Sequence, residues 1–480
     1  MNPWAQTRAD REDALKQLEV RLREDPLSVD LALDRARLLA DVDRADDARD
    51  AYLRIVARVP DHQRALNDFG TFLTQRGFRA AARTVYERAL GVDPGSALAH
   101  ANLANVYFAE TDYEAARRHY EAALAIDPQR AEAHQGLSYA LTRLGREEEA
   151  LQHRRLGFAG RALTTAPYRG AQPPVDVLLL VCAGGGTLYT EGVLDDRIFR
   201  TTTLVADLYR GTPPLPAVDV VFNAISDADR AAPALEAMEQ LLAAVTVPVI
   251  NAPDRVLATS REANAARLAA LEGVVAPSVV AVSLAELRSG GAELAAQHGF
   301  AFPLLVRAPG FHTGQHFTLV ERAAGLAEAI AGFPGEDALL IEYIDVRDHT
   351  GRVRKYRMMA IDGMLYPMHV AVAQQWKVHY FTADMAGDAA NRAEDERFLG
   401  DPGAVLGAPA LAALARVRDA IGLEYVGIDF ALDGAGRVVV FEANATMIVL
   451  QPGPDAIWDY RRVPVGRVIE AVRTMLLGRQ

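Results

Sequence analysis

Asp112-Tyr113-Glu114-Ala115-Ala116-Arg117-Arg118-His119-Tyr120-Glu121-Ala122-Ala123-Leu124-Ala125-Ile126-Asp127-Pro128 carries the pattern that decides the fold of the first third of this chain. Ala116, Tyr120 and Ala123 recur at i, i+4 and i+7, the spacing of one buried helical stripe, and Pro128 cannot continue that helix. The same residue types return at a fixed step on both sides. Prolines fall at Pro26, Pro60, Pro94 and Pro128, alanines at Ala14, Ala48, Ala82, Ala116 and Ala150, and tyrosines at Tyr52, Tyr86 and Tyr120, each step being 34 residues. Ala89 and Ala123 complete the second helix of two units, while Ala36, Gly70, Ala104 and Ser138 place a small residue in the first helix of each. Small residues let paired helices approach closely, a large ring fills the gap, and proline stops the second helix before the next turn. The last unit, from about Ala131, lacks the proline after Phe158 and reads as the cap of the array.

These matches resemble the tetratricopeptide repeat, and they assign residues 1–162 to an all-α repeat solenoid. The resemblance implies a scaffold that recruits a peptide or protein on its concave face. Asn67, Asn105 and Arg64 are candidates to line that groove, or else sit on a solvated helix surface, and dimerisation competes with recruitment as the purpose of the array.

Composition sets the bounds. The chain has 480 residues, 50% of them hydrophobic, which suffices for large cores and about three domains. A net charge of −12 argues against nucleic acid as a partner, because phosphate binding needs a basic footprint. Cys182, the lone cysteine, excludes an internal disulfide and a cysteine zinc site, as expected in a reducing cytoplasm, and it reads as a buried thiol at a strand end. Met1-Asn2-Pro3-Trp4-Ala5-Gln6 is followed by charge rather than an apolar core, so it does not read as a signal peptide. No apolar run approaches the roughly 18 residues of a bilayer span. The expectation is a soluble, cytoplasmic protein with no membrane partner.

A proline-containing stretch, Thr164 to Pro174, separates the array from the remainder of the chain. Apolar strand candidates at Val175–Val181, Thr203–Ala206, Val218–Asn223 and Val247–Asn251 alternate with helical stretches such as Ala231–Ala244, which predicts a small α/β domain over residues 175–276. Ala183-Gly184-Gly185-Gly186-Thr187 is a tight turn able to approach a ligand, but it lacks the spaced glycines of dinucleotide binding.

Near the other end, Val426-Gly427-Ile428-Asp429-Phe430 and Val440-Phe441-Glu442-Ala443-Asn444 alternate apolar and polar residues about an Asp433-Gly434-Ala435-Gly436 turn. A two- or four-residue loop pairs Asp429 with Val440 and puts Asp429, Glu442 and Asn444 on one face, with Glu442 on a cross-strand diagonal of roughly 7 to 8 Å. A three-residue loop turns Asp429 away. Two carboxylates and an amide oxygen suit magnesium, which prefers oxygen donors and is usually shared with substrate phosphates. The same residues also read as a solvated hairpin face.

From Val175 to Gln480 the order of elements resembles the ATP-grasp superfamily. Val249-Ile250-Asn251-Ala252-Pro253, a helix over Ser260–Leu271 and Val274-Val275-Ala276-Pro277-Ser278 are similar to that family's passage from its preceding α/β domain into an α+β nucleotide fold, which assigns residues 277–480 to the ATP-grasp fold. Arg261 lies near the family's phosphate-contacting lysine, with Arg267 as competitor. Arg307, at the end of Phe302-Pro303-Leu304-Leu305-Val306-Arg307, leads into a loop whose Gly310 and Gly314 permit close approach to phosphates. This loop is less glycine-rich than most in the family and has arginine for lysine, which keeps the charge and adds a fork suited to phosphate oxygens. Leu339-Leu340-Ile341-Glu342-Tyr343-Ile344-Asp345 looks like the hinge strand, so Glu342, Tyr343, Ile344 and Asp345 are the implied adenosine contacts. Arg354-Lys355-Tyr356-Arg357 begins a basic hairpin closed at Asp362-Gly363, with Lys355 and Arg357 on one face. Gln375-Trp376-Lys377-Val378-His379-Tyr380 reads either as a cover for an acceptor or as a packing cluster.

The resemblance implies a carboxylate–amine ligase with ATP and Mg2+ as cofactors. Asp429, Glu442 and Asn444 hold the metal, Arg307 and Arg357 offset the charge of the transferred phosphoryl group, and the acyl phosphate meets a small-molecule amine or amino acid. A small-molecule kinase, or a repeat-based adaptor with a silent nucleotide site, uses the same elements.

Overall fold

The computed structural model describes residues 8–190, 192–309, 314–378, 380, 383–453 and 455–479. Met1–Gln6, Gly310, Phe311, His312, Thr313 and His379 lie outside them. The chain divides into two compact units. The first comprises residues 1–174 with 196–201 and 208–213, and the second comprises 175–195, 202–207 and 214–480.

The first unit is a helical repeat solenoid. After helix Arg8–Glu24 come the antiparallel pairs Val29–Asp41 with Ala45–Arg58, Gln63–Gln75 with Arg79–Val92, Ala97–Ala109 with Tyr113–Ile126, and Ala131–Arg143 with Glu147–Gly157. Ser28, Ser96 and Asp112 cap their helices by accepting from backbone N–H groups, satisfying donors that have no partner inside the helix. The periodic residues form the core: Ala36, Ala48, Ala82, Ala89, Ala104, Ala116, Ala123, Ser138 and Ala150 are fully buried. At Gly70 a Cβ atom would lie 2.5 Å from Cε1 of Tyr86, so this position is glycine because the tyrosine ring occupies the space a methyl group would need. Of the candidate groove residues, Asn67 is buried and donates to Gln63 O, Asn105 Oδ1 accepts from Tyr120 Oη at 2.6 Å, and Arg64 bridges Asp30 and Asp34 at 2.7 and 2.6 Å. Those polar groups are engaged within the solenoid itself.

The second unit is a mixed α/β body. Strands Val175–Val181, Val220–Asn223 and Val249–Ile250 pair in parallel, and their near-continuous apolar sequence is what a sheet covered on both faces requires. The predicted strand at Thr203–Ala206 begins earlier, as Phe199–Val205. The Cys182 thiol is buried. In the following turn Gly184 O and Gly186 O accept hydrogen bonds from Arg230 Nε and Ser226 N.

Two further sheets complete this unit. In an antiparallel sheet of four strands the order is Val279–Ser283, Asp337–Glu342, Leu304–Arg307, Phe317–Val320. In a sheet of five strands the order is Met364–Ala373, Val353–Ile361, Tyr425–Leu432, Val438–Asn444, Val274–Val275, with the last pair parallel. The basic hairpin closes at Asp362 and Gly363, both at positive φ, through the pair Ile361 and Met364.

The carboxylate hairpin departs from its expected register. Leu432 pairs with Val438, so the loop has five residues, and Phe430 pairs with Val440. That register alone would set Asp429 opposite Phe441 and send Glu442 to the other face. One extra residue, a β-bulge between Asp429 and Phe430 on one side and Val440 and Glu442 on the other, restores the face, and Asp429 stands directly opposite Glu442.

Helix Ala389–Gly400 docks on the Met364–Ala373 strand through Asp395, which accepts from Val370 N at 2.7 Å and from Tyr460 Oη at 2.8 Å. Burial pushes this carboxyl up to about 6 against the opposing influence of Arg461. The folded value exceeds the unfolded one, so this contribution to stability is fully present below about pH 4 and is lost as pH rises through about 6. Asp395→Asn is therefore expected to flatten the dependence of the urea midpoint on pH in that window, by on the order of 3 kcal/mol at its upper end. Identical slopes for wild type and variant would exclude the assignment.

Among the described residues, no helix is long and apolar enough to cross a membrane.

Candidate functional site

One cleft of the second unit gathers residues from six separate stretches, Ala276, Pro277 and Val279 forming one of them. Ser226, Asp227 and Asp229 come from the start of helix Ala228–Leu242, and Thr259, Arg261 and Asn264 from the start of helix Arg261–Leu268. Arg307, Leu339 and Ile341 come from the four-stranded sheet, and Val440, Glu442, Asn444 and Thr446 from the end of the hairpin.

Local chemistry explains the convergence. Ser260 caps its helix by accepting from Ala263 N, which fixes the helix start. One turn on, Asn264 Nδ2 donates to Ala443 O at 2.7 Å and Thr259 O at 3.1 Å, tying the helix to the hairpin strand. Arg261, on the same face three residues earlier, then reaches Glu442, whose Oε1 accepts from it and from Asn444 Nδ2. Asn444 Oδ1 in turn accepts from Thr446 N and Oγ1 at 3.0 and 2.7 Å. Asn264 Oδ1 is buried on the cleft wall with no hydrogen-bond partner among the described residues.

Arg307 lies between Leu339 and Phe317 in the sheet and is 8% exposed, with its guanidinium 5.4 Å from the Phe317 ring centroid. Burial, aided by Arg261, lowers it to about 10, so it still carries its charge at neutral pH. Burial raises the Asp229 carboxyl, and Asp227 adds to that shift. The cleft therefore holds two arginines against three carboxylates.

Beside it runs a second ionic cluster. Asp429, 1% exposed, accepts from Arg357 Nε and Nη2 at 2.6 and 2.9 Å and from Lys355 Nζ at 2.8 Å. Burial by itself would raise this carboxyl, but Arg357 and Lys355 outweigh it and hold it well below the usual carboxylate range. His369 is held neutral by burial and by Arg357. Its ring lies 4.5 Å from that of Tyr380, to which Arg461 donates.

The structure brings Arg261, Arg307, Glu442 and Asn444 together in the cleft. Asp429 and Arg357 pair with each other and do not line it. The apolar strand contributes Leu339 and Ile341 rather than the four residues expected from it, because the strand ends at Glu342. Glu342 accepts from Ser278 N, Asp345 from Arg347 Nε at 2.8 Å, and Tyr343 and Ile344 follow the strand without lining the cleft. Gly314, at positive φ, lies off the cleft, with its carbonyl accepting from Lys377. Arg267 turns away, donating to Ala420 O and Ala258 O. Trp376 packs edge-on against Phe317, so the aromatic and basic segment is tied into its surroundings by packing. Asp227, Asp229, Thr259 and Asn264 escaped the sequence reading. Their one local signal is cap chemistry at two helix starts, which marks a helix and not a site.

A tetratricopeptide repeat family model matches residues 107–153. Similar solved structures include a crystal structure of MamA, 22% identical, covering 31% of this chain and 88% of that one with a TM-score of 0.29. MamA 41-end from Desulfovibrio magneticus RS-1 is 21% identical, with 32% and 85% covered and a TM-score of 0.29. A thermophilic TPR protein in Thermus thermophilus gives the same four values. No curated protein matches the chain. The chain thus carries an N-terminal helical repeat solenoid consistent with tetratricopeptide repeats, followed by a mixed α/β region.

Proposed function

We propose that the α/β region is an ATP-grasp carboxylate–amine ligase and that the solenoid recruits a peptide or protein to it. The observation that carries the reading is the cleft in which Arg261, Arg307, Glu442 and Asn444 meet beside the apolar Leu339 and Ile341. Two arginines suit phosphate oxygens, since each presents a planar fork of donors. The apolar wall suits a purine ring, and Asn264 Oδ1 is a buried acceptor that a ligand donor would satisfy.

Glu442 supplies carboxylate oxygens of the kind magnesium prefers, and Asn444, which donates Nδ2 to Glu442 Oε1 at 2.8 Å with its Oδ1 on Thr446, would add an amide oxygen if its side chain turned over. Asp429 faces Glu442 across the bulge but has both oxygens engaged, so in this reading it orients Lys355 and Arg357 rather than ligating. When bound, magnesium neutralises charge on the phosphate oxygens. Arg307 holds the terminal phosphoryl group, Arg357, paired with Asp429 beside the cleft, adds positive potential toward the attacking carboxylate, and neutral His369 adds no charge there. Attack of that carboxylate oxygen on the γ-phosphorus breaks the bond to ADP. An amine then displaces phosphate from the acyl phosphate, giving an amide and inorganic phosphate.

A silent-site adaptor is the second reading. The ion pairs Arg261–Glu442 and Arg357–Asp429 favour it, because they satisfy the carboxylates without a metal. Cell extract incubated with ATP, magnesium and the protein, then searched by mass spectrometry, separates the readings. ADP release that needs both a carboxylate and an amine, with a new amide mass, supports the ligase. A stable phosphorylated product indicates a kinase. No turnover with any substrate set, alongside peptide capture by the full chain, indicates the adaptor.

A further inference from the structure

Two histidine pairs recur at the repeat step inside the solenoid. His100 and His134 lie in the first helices of successive units, His119 and His153 in the second helices. Within each unit the Nδ1 atoms face one another, at 3.0 Å for His100 and His119 and 2.8 Å for His134 and His153. In both units the first histidine directs Nε2 at the carbonyl of a repeat proline, Pro94 at 3.2 Å and Pro128 at 3.0 Å.

Those carbonyls decide the tautomers. A carbonyl oxygen only accepts, so Nε2 of His100 and of His134 carries the hydrogen and their Nδ1 atoms present lone pairs. The facing contact then requires the hydrogen on Nδ1 of His119 and of His153. Each pair is two imidazole nitrogens sharing one proton. A ring whose far N–H is fixed by a backbone carbonyl is also the arrangement that orients and strengthens a metal-ligating histidine.

The fold does not need histidine at these positions. One repeat earlier the same positions are Leu66 and Val85, which pack in one apolar cluster. Two consecutive units have replaced that apolar pair by facing imidazoles, with the same 19-residue spacing and the same proline anchor.

We propose that each pair binds one divalent late-transition-metal ion, of the zinc or nickel class that imidazole suits, through its two Nδ1 atoms. Two metal–nitrogen bonds of about 2.0 to 2.1 Å at a tetrahedral angle span roughly 3.3 Å, so each pair opens by a few tenths of an ångström. As the ion binds, the Nδ1 hydrogen of His119 or His153 is replaced by one on Nε2 of the same ring, so both imidazoles stay neutral and no net proton is released. Among the described residues no group of three or more His, Cys, Asp or Glu side chains is gathered, so water completes the coordination. Burial, with Arg118 facing His119 and the partner imidazole facing each ring, keeps His119 and His153 below the usual imidazole value, against Glu87 on one side and Glu121 and Glu149 on the other. Neutral rings at physiological pH are the form a metal binds.

The test is calorimetric titration of the full, tag-free chain with nickel chloride in excess magnesium, which keeps oxygen sites occupied. Wild type is expected to take up two equivalents more than the variant His100→Leu/His119→Val/His134→Leu/His153→Val, and each two-residue variant one fewer than wild type. Leu and Val are the residues of the preceding repeat, so the circular dichroism spectrum should not change. Competition adds a readout on the unaltered chain: zinc chloride, an ion of the same class, should displace nickel from the same two equivalents. Equal uptake by wild type and the four-residue variant, no uptake by wild type at millimolar nickel, or nickel uptake that zinc does not compete for would each overturn the proposal.

Discussion

Asp429→Asn is expected to destabilise the α/β region by about 3 to 5 kcal/mol, the cost of leaving buried charge without its partner. Asp429 sits at the centre of its sheet with Arg357 and Lys355 both donating to it, and no other carboxylate hydrogen bonds to either cation among the described residues. Neutralising the carboxylate leaves two cations together in a desolvated place. Trp376 and Trp458 lie in this region, so urea unfolding followed by their fluorescence reads the loss. Adding Lys355→Met should recover part of it, because one of the two stranded charges is removed. Since the pKa of Asp429 is depressed on folding, its contribution is present above the unfolded carboxylate value and disappears as pH falls through the folded one, so wild type and variant should converge in strong acid. A shift below about 1 kcal/mol at neutral pH would place this cluster among ordinary surface ion pairs.

Glu442→Gln has the opposite profile: little change in stability and a large change in activity. Its carboxylate is partly exposed and pairs with Arg261, itself partly exposed, so removing the charge should leave the urea midpoint within about 1 kcal/mol. On the proposed ligase reading, the same change removes a metal-binding oxygen and frees Arg261 to sit differently on the phosphates. Magnesium-dependent ADP release is then expected to fall about 10²- to 10³-fold, the usual cost of losing one electrostatic contact to the reacting group. Undiminished ADP release by the variant would remove Glu442 from the site. A comparable loss in both stability and activity would make its role structural.

The solenoid was legible because its information is periodic and local. Each unit repeats the same small, large and breaking residues, and a helix pair needs little else to pack. Much of the α/β core was legible for a related reason, since apolar runs such as Val175–Val181 and the Asp362-Gly363 turn announce themselves within a few residues. The cleft was read less completely. Arg261, Arg307, Glu442 and Asn444 stood out by charge or pattern, whereas Asn264 and Thr259 look like any helix start until Ala443 O is found beside them. Glu342 to Asp345 do not line the cleft, since the strand ends at Glu342, and sequence does not mark where a strand stops pairing.

Sequence by itself determined the repeat period, the apolar strands and the presence of two carboxylates and an amide near the end of the chain. Whether Asp429 and Glu442 share a face was decided only in three dimensions. The five-residue loop sets the strands in a register that separates them, and a single-residue bulge at Phe441 brings them back. Strand faces alternate with every residue, so one inserted residue inverts everything beyond it, and no local propensity records where pairing of two distant strands will absorb that residue.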